Sequence, residues 1–323
     1  MRLADLAAKA GHRLVTPLLG YPGAKLTNSS LKQNEFNPVL HCESLTRLVE
    51  RFRPDVVFLM MDLSLEAGAL GLPVRFPLFE SPTVEEHPVA SVDDLEPFRV
   101  LDPLDDVRIR GFVRTMELMA ERIDIPKGGY VVGPFTLAGL LMGASELAMA
   151  TVTDPELVHA VVRFSAGVCR RYALALADAG ADIIAVLEPT ATFLSPRSFT
   201  SFCGDYVKEI LDGMKPIMAL HICGNTTHLI REMCATGAEG LSLDSPVNLA
   251  TVAPIVDPGV VLVGNIDPVG VMVQQTPEGV EQEVRRLLDS MAPYPNFILS
   301  TGCDLPYETP LENIDAFMKE GRR

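Results

Sequence analysis

Cysteine is scarce in this chain, with six residues in 323. That is too few for a disulfide-stapled scaffold and fits a reducing compartment, so a cytoplasmic protein is expected. Basic charge is also short. Lys and Arg number 27 against 42 Asp and Glu, a formal charge of −15 at pH 7, and the cations are scattered. Such a surface repels phosphate backbones, which excludes nucleic acid as an expected partner. The opening residues, Met1 to Leu6, contain no basic segment followed by an apolar core, so no signal peptide is read there. Only one uncharged stretch, 128–145, approaches membrane-spanning length. It contains Gly128, Gly129, Gly133, Pro134, Gly139 and Gly143, and a strand, a turn and a buried helix explain it better than a membrane span. Neither short tandem repeats nor low-complexity segments occur.

What the chain does have is core-forming material: 48% apolar and 21% charged residues, as in an ordinary folded soluble protein. Short apolar runs alternate with longer helical patterns, which predicts a parallel sheet with crossover helices. Strands are expected at 13–19, 55–61, 130–133, 182–187, 216–221, 240–244, 260–264 and 297–301. The first is the weakest, because Pro17 sits inside it. Helices are expected at 41–53, 106–123, 156–179, 196–214, 226–236, 247–256, 277–291 and 310–319. Strands and helices in this alternation predict an α/β fold, a single (β/α)8 TIM barrel spanning 1–323. An open doubly wound sheet is the alternative. Segments 20–40 and 68–105, dotted with proline, are expected to be irregular additions covering one end of the barrel.

Barrel enzymes carry their chemistry at the C-terminal ends of the strands. Asp62, Glu188, His221, Asp244, Asn265, Asp267 and Cys303 all fall at or just beyond expected strand ends. His221-Ile222-Cys223-Gly224-Asn225 is the sharpest group. In an extended chain residues i and i+2 face the same side, so an imidazole and a thiol converge. Gly224 permits a turn and Asn225 can cap the next helix. Cys303, in Ser300-Thr301-Gly302-Cys303-Asp304, would supply a second sulfur across the barrel mouth. One nitrogen and two sulfurs form a soft set that suits Zn2+, with a fourth position left open. A buried histidine with two inert thiols is the alternative reading of the same residues. Cys42, Cys169, Cys203 and Cys234 sit in helical patterns and read as small core residues. His228, on an outer helix, reads as a surface or packing residue. Asp62 and Glu188 are expected as acid–base or ligand-positioning groups, and Tyr307 either hydrogen-bonds a substrate or packs. One of Met60 and Met61 is expected to face the mouth.

The His221-to-Asn225 motif, with 300–306 and Thr309-Pro310-Leu311-Glu312-Asn313-Ile314, resembles the uroporphyrinogen decarboxylase superfamily. The branch it resembles is the zinc-dependent corrinoid methyltransferases. Val132 to Gly139, Glu188-Pro189-Thr190-Ala191 with Leu194-Ser195-Pro196, and Val263 to Pro268 are similar to that branch too. The likeness runs from about Asp55 to the C-terminus.

The resemblance implies zinc on His221, Cys223 and Cys303; from their places around the expected barrel mouth, Glu188 and Asp62 are expected as catalytic groups and Asp244, Asn265 and Tyr307 near the substrate. It implies methyl transfer between a methylcobamide and a small acceptor, foremost a thiol such as coenzyme M activated as its zinc thiolate. The reverse partial reaction, from a methyl ether or methanol to cob(I)alamin, is the alternative. The chain has no Asp-x-His-x-x-Gly, the pattern with which many corrinoid proteins supply histidine to cobalt, so the corrinoid is expected on a separate partner protein. Metal-free porphyrinogen decarboxylation ranks lower. The decarboxylase signature Met-Arg-Gln-Ala-Gly-Arg is absent; Leu18-Leu19-Gly20-Tyr21-Pro22-Gly23 stands in that region, with only Lys25 and Lys32 nearby. That reading would require inward arginines, for which Arg13, Arg75, Arg99 and Arg197 are the candidates. A non-catalytic zinc protein closed by a fourth ligand, for which Glu188 is long enough, is the third reading.

Overall fold

The computed structural model describes residues 2–323. Its strands are β1 Val57–Phe58, β2 Val74–Arg75, β3 Thr83–Val84, β4 Lys127–Val132, β5 Ile183–Leu187, β6 Ile217–Ile222, β7 Gly240–Leu243, β8 Val261–Ile266 and β9 Phe297–Thr301. Seven of them form one parallel sheet in the order β1-β4-β5-β6-β7-β8-β9. These strands are buried on both faces, as parallel strands between helices must be.

The stretch expected as the first strand closes the ring without becoming a full strand. Val15 makes one parallel bridge to Leu299 of β9. Thr16 N donates to Leu299 O at 2.8 Å, and Asp55 N donates to Val15 O at 3.0 Å. The stretch therefore lies between β9 and the residues leading into β1. Pro17 has no N–H to continue the ladder, which limits the pairing to a bridge. The result is the expected eight-stave barrel.

Inside it, side chains stack in layers. Leu14, Val56, Ile183, Ile217, Val261 and Ile298 form the lower one, joined by Leu3 of the helix Leu3–Lys9. That helix plugs the bottom of the barrel, and Leu3 N donates to Glu239 Oε2 at 3.0 Å. Leu18, Met61, Tyr130, Ala185, Leu187 and Ala219 form the layer above, directly under the C-terminal mouth.

The outer helices follow their sequence signals. Val107–Arg122 is capped by the Asp106 side chain, Pro155–Asp178 by that of Asp154 with Pro at its start, and Pro277–Met291 by that of Thr276. The helix expected over 196–214 is interrupted. Pro196–Phe199 and Asp205–Leu211 are joined by a π-helical turn, Thr200–Gly204. The apolar stretch 128–145 folds as β4, the helix Pro134–Met142 and the start of Ala144–Thr153, the two helices being bent by 104°. No single helix among the described residues is long and apolar enough to cross a membrane.

Segment 20–40 departs from expectation. It is helical, with Gly20–Leu26, Leu31–Glu35 and the start of Pro38–Phe52. Ser30 with Gln33 forms a capping box, and Asn37 caps a helix with Pro at its first position; both signals stand in the sequence. Segment 68–105 carries the antiparallel ribbon β2–β3 and short helical turns. The loop joining its two strands reaches over the barrel mouth.

Candidate metal centre

β6 delivers His221 and, just past its end, Cys223. The two atoms His221 Nε2 and Cys223 Sγ are 3.0 Å apart. Cys303 arrives from the loop after β9, with its sulfur 3.3 Å from Cys223 Sγ and 3.7 Å from His221 Nε2. Among the described residues this is the one group of three or more His, Cys, Asp or Glu whose ligand atoms cluster within metal-binding reach. A zinc ion bonded at about 2.3 Å to sulfur and about 2.0–2.1 Å to nitrogen would want tetrahedral edges of about 3.6–3.8 Å. The triangle fits once its two shorter edges, both at Cys223, open by about half an ångström each, which thiol rotation can supply. The chemistry of the donors points the same way. The adjacent Cys223 thiol and burial push the Cys303 thiol well above the ordinary thiol range. Two sulfurs so close cannot both ionise without a cation between them.

The surroundings hold these groups in place. His221 is buried, and its Nδ1 lies 2.9 Å from Ser242 Oγ on the neighbouring strand, in register with it. With Nε2 facing the sulfurs, Nδ1 carries the proton and donates to Ser242, the usual way a ligand imidazole is oriented. Gly224 adopts φ +83°, a left-handed conformation that lets the chain turn immediately after Cys223. Asp244 Oδ2 accepts from Gly224 N at 2.7 Å and Oδ1 from Ser245 N at 2.6 Å, while Thr192 Oγ1 donates to the Cys223 carbonyl. A Cβ on Gly302 would stand 2.6 Å from Ser245 N and 2.8 Å from Asp244 Oδ1. Glycine there lets the β9 loop press against Asp244 and bring Cys303 to Cys223.

Cys223 and Cys303 open into a cleft of about 380 Å³. Its walls include Tyr21, Met61, Leu63, Phe79, Pro82, Pro306 and Tyr307, with Asp304 beside Cys303. Tyr307, a residue expected near substrate, lines the cleft, and its ring packs on Phe79 with centroids 4.8 Å apart. Of the two methionines, Met61 faces the mouth. Sequence reading passed over Tyr21, Phe79 and Ser242. Asp304 was visible only as the neighbour of Cys303.

Four other expected site residues are engaged with neighbouring parts of the scaffold. Glu188 is fully buried and turned onto the start of the helix Pro134–Met142. It accepts from Phe135 N at 2.9 Å, Thr136 N at 2.8 Å and Thr136 Oγ1 at 2.7 Å. Burial pushes its pKa up to about 7, and the donors from Thr136, Phe135 and Cys203 pull the other way. Both oxygens of Glu188 are thus engaged at the start of that helix. Asp62 pairs with buried Arg108, and its Oδ1 accepts from Ser64 N at 2.8 Å and Ser64 Oγ at 2.7 Å. Asp244 is occupied by the turns already described. Asn265 Nδ2 donates to the carbonyls of Asp244 at 3.0 Å and Val247 at 2.6 Å, tying down the loop after β7.

The other four cysteines, and His41 and His228, lie away from the centre. Cys42, Cys169 and Cys203 are buried and Cys234 is half-buried. His41 Nε2 accepts from Met60 N at 3.0 Å, and burial holds its pKa down at about 3. His228 Nε2 lies 3.0 Å from the Leu194 carbonyl.

Beside Asp62 lies Glu35, 3% exposed, with neither carboxylate oxygen hydrogen-bonded among the described residues. Burial and then the Asp62 charge push its pKa up to about 8, with Arg108 opposing. The folded chain therefore keeps a proton that the unfolded chain releases, and stability drains away as pH rises from about 4.5 toward about 8. Glu35→Gln removes that loss. Its melting temperature relative to wild type is expected to be distinctly more favourable at pH 8 than at pH 5. A constant difference across that range would contradict the assignment.

The comparisons with known proteins agree with this architecture. A family model described as uroporphyrinogen decarboxylase (URO-D) matches residues 13–323. The methylcobamide:CoM methyltransferase MtbA of Methanosarcina mazei is 31% identical over 273 residues, covering 82% of this chain and 78% of that protein. A uroporphyrinogen decarboxylase of Pseudoalteromonas atlantica is 27% identical over 295 residues, covering 87% and 82%. Among solved structures, a methyltransferase from Methanosarcina mazei superposes with a TM-score of 0.91 at 23% identity, over 99% of this chain and 96% of that one, a likeness of fold. The chain belongs to the uroporphyrinogen decarboxylase family.

Proposed function

We propose that this protein is a corrinoid-dependent methyltransferase that holds zinc on His221, Cys223 and Cys303 and passes a methyl group from a methylcobamide to a small thiol. The observation that carries the reading is the convergence of one imidazole nitrogen and two thiols at a solvent-open, largely apolar cleft. Zinc bound there would lower the pKa of the acceptor thiol and hold its sulfur as the thiolate in the position the three protein ligands leave free. The 31% identity to the methylcobamide:CoM methyltransferase MtbA supports the same reaction class.

The chain's own residues would do the positioning. Ser242 fixes the His221 ring, while Asp244 and Thr192 fix the Cys223 turn. The Met61, Phe79 and Tyr307 walls would aim the acceptor sulfur at the methyl carbon. The sulfur–carbon bond forms as the cobalt–carbon bond breaks. Its electron pair stays on cobalt, leaving cob(I)amide, and the thiol proton goes to solvent. We assign the corrinoid to a separate protein docking over the mouth.

Decarboxylation draws less support. A substrate with several acidic arms calls for inward cations. Arg13 instead donates to the carbonyls of Tyr294 at 3.2 Å and Phe297 at 3.0 Å, at the lower end of β9. Arg75 and Arg99 lie beside Glu85 and Glu96 on the surface. None of these, nor Arg197, lines the cleft.

Zinc-loaded protein given methylcobalamin and a small thiol under anaerobic conditions is expected to produce cob(I)alamin and methyl thioether in equal amounts. Absorbance follows the first product and mass spectrometry the second. The purified protein alone should carry zinc and no cobalt. Stoichiometric cobalt would overturn the separate partner. Failure with every thiol, alongside carboxyl loss from uroporphyrinogen, would give the site to decarboxylation.

A further inference from the structure

The mouth of the barrel is divided in two. The inner cleft, of about 380 Å³, holds Cys223 and Cys303, and an outer cleft of about 680 Å³ lies beside it. Phe79 and Tyr307 line both, and they are the residues the two clefts share. Their rings, with centroids 4.8 Å apart and planes at 40°, therefore form the wall between the clefts. Beyond that wall stand the exposed side chains of Phe36 and Leu78. They offer apolar surface to anything that crosses it.

Both rings are held in place. The carbonyl of Leu78, next to Phe79, accepts from Leu31 N at 2.8 Å. On the other side of Phe79, Ser81 Oγ lies 3.0 Å from the Tyr21 hydroxyl, which itself donates to the Met61 carbonyl at 2.5 Å. The loop between β2 and β3 is thus tied down on both flanks of Phe79, to the helix Leu31–Glu35 on one and beyond β1 on the other. With its backbone so anchored, Phe79 can leave the wall only by side-chain rotation, which forfeits its packing on Tyr307. Tyr307 is backed by Lys25, whose Nζ stands 5.4 Å from the Tyr307 ring centroid and donates to the Thr309 carbonyl at 3.0 Å.

We propose that the Phe79–Tyr307 pair is specificity-determining: it confines the acceptor to a short thiol that fits the inner cleft and shuts longer thiols off from the apolar surface of the outer one. Once the methyl donor lies over the opening, the tail of a thiol held at the metal has to end inside the inner cleft or pass this wall. The proposal rests on the methyl transfer to a thiol and narrows the acceptor by its length.

Two neutral thiols with the same end groups test it, 2-mercaptoethanol and 6-mercaptohexan-1-ol, the second longer by four methylenes. Their affinities for the zinc-loaded protein are read by titration calorimetry with no corrinoid present, and their KM values in methyl transfer from methylcobalamin. Each methylene that finds an apolar surface strengthens binding by about fourfold. The wild type is expected to favour the longer thiol by about threefold or less, because its tail gains no such surface. Phe79→Ala opens the wall and should raise the ratio of long to short by about tenfold or more, as burying two of the methylenes would. Phe79→Tyr, which keeps the ring, should return the ratio to the wild-type value. The different acidities of the thiols cancel when variant and wild type are compared as ratios. Tyr307→Ala opens the wall from the other side and covers the case in which Phe79→Ala does not fold. A ratio unchanged in both alanine variants, or a wild type that already favours the longer thiol by more than about tenfold, would overturn the proposal. The expected shift in binding without transfer to either thiol would instead overturn the methyltransferase reading and leave the wall standing. Binding of neither thiol would overturn both.

Discussion

His221→Ala is expected to cut thiol methylation by about 10³-fold or more while leaving the fold intact. A free thiol with a pKa near 8.5 is only a few per cent thiolate at pH 7, so losing metal activation alone costs about 30-fold. Losing the alignment of sulfur and methyl carbon costs at least as much again. His221 Nε2 is within 3.0 Å of Cys223 Sγ and 3.7 Å of Cys303 Sγ, so its removal also leaves two sulfurs that a metal holds poorly. Ser242→Ala should be milder. It frees the His221 ring without deleting a ligand, and a weakening of metal affinity of about 10–100-fold is expected. Steady-state rates with methylcobalamin and a zinc titration of each variant separate the two. An alanine variant at 221 that retained more than about a tenth of the wild-type rate would show that the imidazole is not part of the chemistry.

Asp62→Ala is expected to destabilise the protein by about 3–5 kcal/mol, read from urea denaturation. The loss comes from Arg108 rather than from Asp62 itself. Arg108 is 7% exposed, its guanidinium lies against the rings of Phe36 and Phe76 at 5.5 and 4.5 Å from their centroids, and its Nε and Nη1 have no partner among the described residues. Without Asp62 that charge is buried and unpaired. Replacing both residues, Asp62→Ala with Arg108→Met, should recover much of the stability, because no stranded charge remains. If Asp62→Ala instead stayed as stable as wild type and lost turnover, the carboxylate would return to the chemistry.

The convergence of His221, Cys223 and Cys303 was legible because its logic is local. His-x-Cys at a strand end places two donors on one side within three residues, and Gly302-Cys303 follows the last apolar run. Strands such as β5 and β6, and helices such as Pro277–Met291, were legible for a similar reason: runs of apolar residues and capping side chains are written next to the elements they create. The roles of Asp62 and Glu188 were not. Their partners lie 46 residues on at Arg108, and 53 and 52 residues back at Phe135 and Thr136. A carboxylate at a strand end looks the same in one dimension whether it faces the mouth or turns onto a neighbouring helix. Segment 68–105 shows a related limit. Its prolines and short apolar runs mark a covering loop, but the placement of Phe79 and Glu80 in the cleft depends on the β2–β3 ribbon.

The most direct test is the metal content of the pure protein, wild type and Cys223→Ala side by side, after expression with ample zinc. About one zinc per chain in the wild type, lost in the variant with an unchanged circular dichroism spectrum, is the result expected. A wild-type protein that binds no zinc, or a variant that keeps it in full, would contradict the proposed centre and the methyl transfer built on it.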